Sequence, residues 1–193
     1  MPRSKRLAAD PGTGVAGRTT IRPATLDDLR PMVELFRHEA DIALEYDPLL
    51  EFHSEANWTA HVEAQFKRAD TRLFVAQRCG AFAGFIQVRI VGSGTGPVLT
   101  GSVKRWLRRR IRRDSQLVQR REAFGFIDHI FVMPEVRQTP LAFKLLMAGM
   151  CWLREHGATE VEGAIWAKNE YIVKMAHNLG FEPVRLLMRK RLQ

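Results

Sequence analysis

Residues Ile127 to Lys144, IDHIFVMPEVRQTPLAFK, run an apolar strand into an apolar helix through a polar turn that carries Arg137. A chain containing this junction must set a strand end and a helix start against one small volume. The unpaired N–H groups of the first helical turn, with the positive end of the helix dipole, make that volume a place for an anion such as a pyrophosphate. Arg137 adds a fixed charge. Thr139 has the chemistry of an N-cap, and Pro140 at the first helical position sacrifices no intrahelical bond. A strand, a turn and a helix occur in many folds, so the flanks must decide the meaning.

Those flanks read as alternating elements. Thr19 to Ala24 is a short strand, and Thr25 caps a helix in which Leu26, Leu29, Met32, Val33 and Phe36 recur at helical spacing behind Asp27 and Asp28. Ser54 caps a second helix that reaches about Lys67. The stretch between them, DIALEYDPLLEFH, is either a loop or a broken helix. Arg72 to Gln77 and Phe82 to Ile90 are β-rich runs around Arg78-Cys79-Gly80-Ala81, a hairpin. Phe124 to Val132 is a strand, Pro140 to about His156 a helix closed by Gly157, and Thr159 to Trp166 a strand. Asn169 to Leu179 is a helix, and Gly180 to Leu192 a last strand or strand pair.

Length and charge bound the remaining choices. A chain of 193 residues that is 46% hydrophobic supports one core. Cys79 and Cys151 lack CxxC spacing and suit a reducing, cytoplasmic setting. The longest apolar run, Leu145 to Leu153, is too short to cross a bilayer, and the first residues lack a signal-peptide core. The net charge of +9 is concentrated. Residues 101–122 hold nine Lys/Arg against Asp114 and Glu122, a local +7, and residues 1–18 hold four against Asp10. Residues 1–18, rich in Gly, Ala and basic residues without periodicity, read as a disordered tail.

Taken together, the pieces resemble the GNAT superfamily of acyl-CoA-dependent N-acetyltransferases. FVAQRCGAFAGFIQVRI is similar to that family's second and third strands around a turn glycine. IDHIFVMPEVR is similar to its fourth strand with a V-x-P-E-x-R ending, and WAKNEYIVKMAHNLGFEPV to its W-x-x-N, helix, L-G-F signature. The resemblance spans about Thr19 to Leu192. It implies an α+β, three-layer α/β/α domain over residues 19–193 with a central mixed sheet of six to seven strands. The element order would be β-α-α-β-β, a basic insertion at about 92–122, then β-α-β-α-β.

The resemblance also implies a site. The fourth and fifth strands would splay apart, acetyl-CoA's pantetheine arm would bond to the backbone of Ile130, Phe131 and Val132, and Asn169 would contact that arm. The pyrophosphate would sit on the turn Arg137, Gln138, Thr139, Pro140, Leu141 and Ala142. This turn matches the family's R/Q-x-x-G-x-G/A loop at Arg137 and Ala142, but Pro140 replaces its middle glycine and removes one N–H donor. Loss of one hydrogen bond to a charged group costs roughly 1.5–3 kcal/mol, which weakens such a loop without abolishing it. The tyrosine that family members often carry seven residues after the asparagine is Ala176 here. A thiolate leaves tolerably without a general acid, or with water in its place.

Acyl transfer needs a neutral amine, a proton acceptor and a donor for the developing oxyanion. Backbone N–H groups near Phe131 and Val132 can serve as the donor. Asp128 and His129 are the candidate catalytic bases. Strand alternation puts them on opposite faces, so one of them faces the cleft unless a bulge shifts the phase. His38, His53, His61 and His156 show no metal-ligand spacing, so no metal is expected. In residues 101–122, Val103, Trp106, Leu107, Ile111, Leu117 and Val118 fall on one helical stripe with most arginines opposite. That pattern suits a docked amphipathic helix with a cationic outer surface, which could meet RNA, a membrane surface or an acidic protein. The leading expectation is therefore an N-acetyltransferase that uses acetyl-CoA on an amine acceptor. The alternative is a catalytically weakened, RNA-binding or regulatory module on the same scaffold. A homodimer is compatible with either.

Overall fold

A computed structural model describes residues 18–47, 50, 56–92, 123–137 and 139–189. Five strands form one sheet in the order of the chain: β1 (Thr19–Pro23), β2 (Thr71–Arg78), β3 (Ala81–Val91), β4 (Phe124–Val132) and β5 (Val161–Gly163). The first four pair antiparallel, and β5 pairs parallel to β4. A helix-bearing crossover separates β4 from β5, as a parallel pair requires. The helices are α1 (Leu29–Tyr46), α2 (Ala56–Phe66), α3 (Leu141–Glu155) and α4 (Glu170–Asn178).

Two faces of the sheet carry two cores, which makes the three layers. Met32, Val33, Leu35 and Phe36 of α1 and Val62 of α2 meet Leu73, Val75 and Phe85 on one face. Leu141, Leu145, Leu146 and Leu153 of α3 meet Ala76, Ala83, Ile86 and Val88 on the other. Each of the larger side chains among these, Val, Leu, Ile, Phe or Met, stabilises the fold by about 1.5–3 kcal/mol when fully buried. Two glycines let α3 lie close to the strands. A Cβ at Gly149 would sit 2.9 Å from Val88 Cγ1, and one at Gly125 would sit 2.5 Å from Leu153 Cδ1.

The β2–β3 hairpin turns at Cys79 and Gly80, whose φ values of 52° and 82° give the primed turn that suits twisted strands. At the N-terminus, Arg22 grips Asp28 with two bonds of 2.7 and 2.8 Å, while the Thr25 N–H donates to Asp28 Oδ2 at 2.8 Å. That cluster starts a short 3-10 turn, Leu26–Asp28, which leads into α1.

The stretch from residue 41, open between a loop and a broken helix, begins as helix: α1 continues through Tyr46 because Ala40 and Ala43 are buried and carry the apolar stripe onward. Other expectations are corrected. The fifth strand is shorter than Thr159 to Trp166. No strand occurs in residues 180–189, so the described sheet has five strands rather than six or seven. Val184, Leu186, Leu187 and Met188 there are exposed, and no strand of the described sheet pairs with them. The segment is instead tied by its end, where Arg189 donates to both carboxylate oxygens of buried Asp47 at 2.6 and 2.5 Å. The basic tail expected at 1–18, apart from Arg18, and the basic helix expected within 101–122 lie outside the described residues. So does the cap Ser54.

Candidate acetyl-CoA site

The geometry follows from where β4 loses its partner. The β4–β5 ladder runs Gly125↔Val161, Phe126↔Glu162 and Ile127↔Gly163 and ends there, while β4 continues along β3 to Gly84↔Val132. Met133 N–H donates to Ala83 at 3.0 Å across β3, and Gly125 N–H donates to Glu160 at 2.8 Å across β5. Strand alternation between these fixed points turns the backbone groups of Ile130 and Val132 away from β3, into the space β5 has left. Phe131 N–H points to β3 instead. Of the three strand residues expected to bind the cofactor, two thus present backbone to the opening.

The strand runs directly into the anion-binding turn. After a 3-10 turn, Pro134–Val136, the chain reaches Arg137 and then α3. Arg137 is exposed, with Nε 3.4 Å from the Val132 carbonyl oxygen and Nη2 3.3 Å from His38 Nε2. Thr139 does not cap α3 as expected: its hydroxyl donates to the Val136 carbonyl at 2.7 Å, a nearer partner than the helix N–H groups. Pro140 occupies the cap position, and no side chain caps the helix. Leu141 buries its side chain in the α3 core, so its contribution here is its backbone, as for Ala142. Gln138 lies outside the described residues. Across the opening, Asn169 caps α4, its Oδ1 accepting from Ile172 N–H at 3.3 Å.

Asp128 and His129 do not lie on opposite faces. The β3–β4 register shifts between Gln87 and Val88, so that Gln87 pairs with His129 and Val88 with Ile127, leaving Asp128 as the extra residue of a bulge. Both side chains therefore point to the α1/α2 face. Asp128 is sealed: Arg89 Nε donates to its Oδ2 at 2.7 Å, with side-chain exposures of 3% and 0% for the pair. Gln87 Nε2 reaches the same oxygen at 3.3 Å and Gln65 of α2 at 3.2 Å, and the Arg89 guanidinium lies 5.0 Å over the Phe126 ring.

His129 is differently placed. Its ring meets Phe36 edge-on at 4.7 Å between centroids and stacks with Phe131 at 6.1 Å. Nδ1 is buried without a hydrogen bond of good geometry, and Glu39 Oε2 of α1 lies 3.3 Å from it. Sequence reasoning missed Glu39, Arg89 and Gln87. The last two left a signal, since a glutamine and an arginine two apart inside the apolar run FIQVRI mark a buried polar face of that strand.

Beyond the site, the end of α1 is tied to the β5–α4 connection. Lys168 Nζ donates to the Tyr46 carbonyl at 3.1 Å, and Tyr46 and Trp166 lie 6.3 Å apart. Among the described residues no group of three or more His, Cys, Asp or Glu is placed to hold a metal ion, and no helix is long and apolar enough to cross a membrane.

Comparison with known proteins agrees with this geometry. No curated protein sequence matches the chain. Solved structures share its fold. The aminoglycoside N-acetyltransferase AAC(6')-Iy in complex with CoA is 20% identical, with a TM-score of 0.62 over 92% of this chain and 96% of that one. The BH1408 protein from Bacillus halodurans, solved as a mutant, is 14% identical, with a TM-score of 0.71 over 90% of this chain and 99% of that one. A transcriptional regulator from Bacillus halodurans C-125 is 15% identical, with a TM-score of 0.61 over 91% of this chain and 100% of that one. Residues 32–181 match the acetyltransferase (GNAT) family. A strand that opens beside its parallel neighbour and feeds an uncapped helix is thus found in a chain that belongs to the acetyltransferase (GNAT) family.

Proposed function

We propose that this protein transfers an acetyl group from acetyl-CoA to an amine by direct attack. The observation that carries the reading is the termination of the β4–β5 ladder at Ile127↔Gly163, which turns the backbone of Ile130 and Val132 toward an opening continuous with the N-terminus of α3. A pantetheine arm carries amides that can pair with such a strand edge. The pyrophosphate then meets the α3 N–H groups at Leu141 and Ala142, with the helix dipole and Arg137. The fold shared with a CoA-bound acetyltransferase supports the same orientation.

In this reading His129 is the base. The amine nitrogen bonds to the thioester carbonyl carbon, its proton passes to the imidazole, and the C–S bond breaks to release the thiolate of CoA. The thiolate takes its proton from solvent, because Ala176 offers none. The N–H of Val132, or of Ile130, faces the developing oxyanion. Asp128 serves the structure instead: its carboxylate is committed to Arg89 and shut from solvent, so an amine cannot reach it. Asn169 keeps its amide NH2 for the pantetheine arm while its oxygen caps α4. Arg137 must leave the Val132 carbonyl for a bound pantetheine to use it.

The acceptor's identity is a matter for assay. Thiol release from acetyl-CoA over a panel of small and macromolecular amines, with calorimetry of CoA binding, tests the proposal. Micromolar CoA affinity with acceptor-dependent release is expected, and the absence of any CoA affinity would overturn the reading.

A further inference from the structure

We infer that Glu39 is a positioning residue for His129: from α1, its carboxylate accepts a hydrogen bond from His129 Nδ1–H, fixing the tautomer that leaves Nε2 free to take the amine's proton. This rests on the assignment of His129 as base. Three features of the structure support it. Nδ1 of His129 is buried and lacks a hydrogen bond of good geometry, while Glu39 Oε2 stands 3.3 Å away. A buried imidazole nitrogen left unpaired is costly, and a small rotation of the glutamate side chain closes the contact. Glu39 can make that rotation because its side chain is 31% exposed and holds no competing ion pair among the described residues.

The ring is also held in place by something other than Glu39. Phe36 meets the ring edge-on at 72° and Phe131 stacks at 24°, so the imidazole cannot rotate freely to find another partner for Nδ1. His129 keeps 17% of its side chain exposed although Nδ1 is buried, so the exposed part of the side chain is not Nδ1. An imidazole that sets one nitrogen against a carboxylate and is not wholly buried has the arrangement of a base with an orienting partner. The carboxylate also stabilises the imidazolium formed when the proton arrives. No proton needs to pass to Glu39 itself.

The test combines ring nitrogen NMR with kinetics on the full chain. Long-range proton–nitrogen spectra at alkaline pH, assigned through His129→Asn, report which nitrogen of His129 carries the proton. The unmodified protein should show the Nδ1–H tautomer. In Glu39→Leu the population should move to Nε2–H, and kcat should fall about 10- to 100-fold, the usual loss when an imidazole's outer partner is removed, with KM for acetyl-CoA unchanged. Glu39→Gln, whose amide oxygen still accepts, should keep the tautomer and recover part of kcat, which a merely structural role would not predict. An Nε2–H tautomer in the unmodified protein, or a tautomer unmoved in Glu39→Leu, overturns the role of Glu39. If His129→Asn transfers acetyl groups as fast as the unmodified protein, the assignment of the base fails and this inference fails with it. If His129→Asn is inactive while the tautomer ignores Glu39, the inference alone fails.

Discussion

Asp128 and His129 are adjacent in sequence, share one face of one strand, and live in opposite conditions. The Asp128 carboxylate is out of solvent, paired with Arg89 and bonded to Gln87. The His129 ring is partly open, with one nitrogen short of a partner. Burial explains both. A charge removed from water is tolerated only when its bonds are complete, and a completed charge has nothing left to offer a substrate. A side chain that stays partly open and carries no fixed charge partner keeps its chemistry available. In this strand the satisfied group shapes the backbone, because Asp128 is the extra residue of the bulge that brings His129 onto the same face.

The largest test of that contrast is Asp128→Ala. It removes the carboxylate that Arg89 bonds in the interior and should cost about 3–5 kcal/mol in stability by denaturant unfolding, as breaking a buried pair does. A loss under about 1 kcal/mol would mean that water reaches the pair. The companion Arg89→Met/Asp128→Leu should recover most of the loss, since an apolar replacement leaves no buried charge.

Next comes His129→Asn, for which the expected pattern is reversed. Its kcat should fall roughly 10²- to 10⁴-fold, the range for a removed general base. Its stability should fall by roughly 1–2 kcal/mol, less than in Asp128→Ala, because the ring is packed by Phe36 and Phe131 but its removal leaves no buried guanidinium without its carboxylate. Equal loss of stability in both variants would erase the distinction between the two residues.

A smaller effect is expected at the turn. Pro140→Gly restores an N–H at the start of α3 and should tighten CoA binding roughly tenfold in calorimetry, near the lower bound for a hydrogen bond to a charged group. Unchanged affinity would show that the phosphates do not reach that position.

The smallest concerns a third ion pair, intermediate in exposure. The hydrogen bonds of the Arg22 guanidinium, against the opposing effect of burial, hold the Asp28 carboxyl below its ordinary range, and the Thr25 N–H adds to this. Asp28 therefore stabilises the fold fully above the unfolded carboxylate value of about 3.9 and loses that contribution as pH falls through its lower folded value. Asp28→Asn should flatten the acid limb of a stability–pH curve in that window and leave the slope near neutrality unchanged.

Much of the fold was legible because its signals are local. The turn glycine at 80, the alternation in β3 and the periodicity of α3 each act over a few residues. What was not legible depends on distant partners. The bulge residue Asp128 is bonded by Arg89, 39 residues away, and no period within β4 announces it. Thr139 has the right side chain for a cap but finds the Val136 carbonyl closer. The run Val184 to Met188 is apolar enough for a strand, yet its composition cannot supply a partner edge. Of the site, the splayed strand and the turn that leads into α3 were foreseen through the family's motifs, whereas the missing cap at Thr139 was not, and Glu39 carried no motif, being one glutamate among several on α1.

The bond between Arg189 and Asp47 has a consequence for how the protein is made and handled. It joins residues 142 apart in sequence, so almost the whole chain must be in place before it can close. Closing so long a loop is entropically late, and an exposed segment held by its end is early to open. Among the described residues, amide exchange should therefore appear early in residues 181–189. A protease that trims the chain just before Arg189 would leave Asp47 buried without this partner, so damage at the surface of the C-terminal segment would be felt at the end of α1.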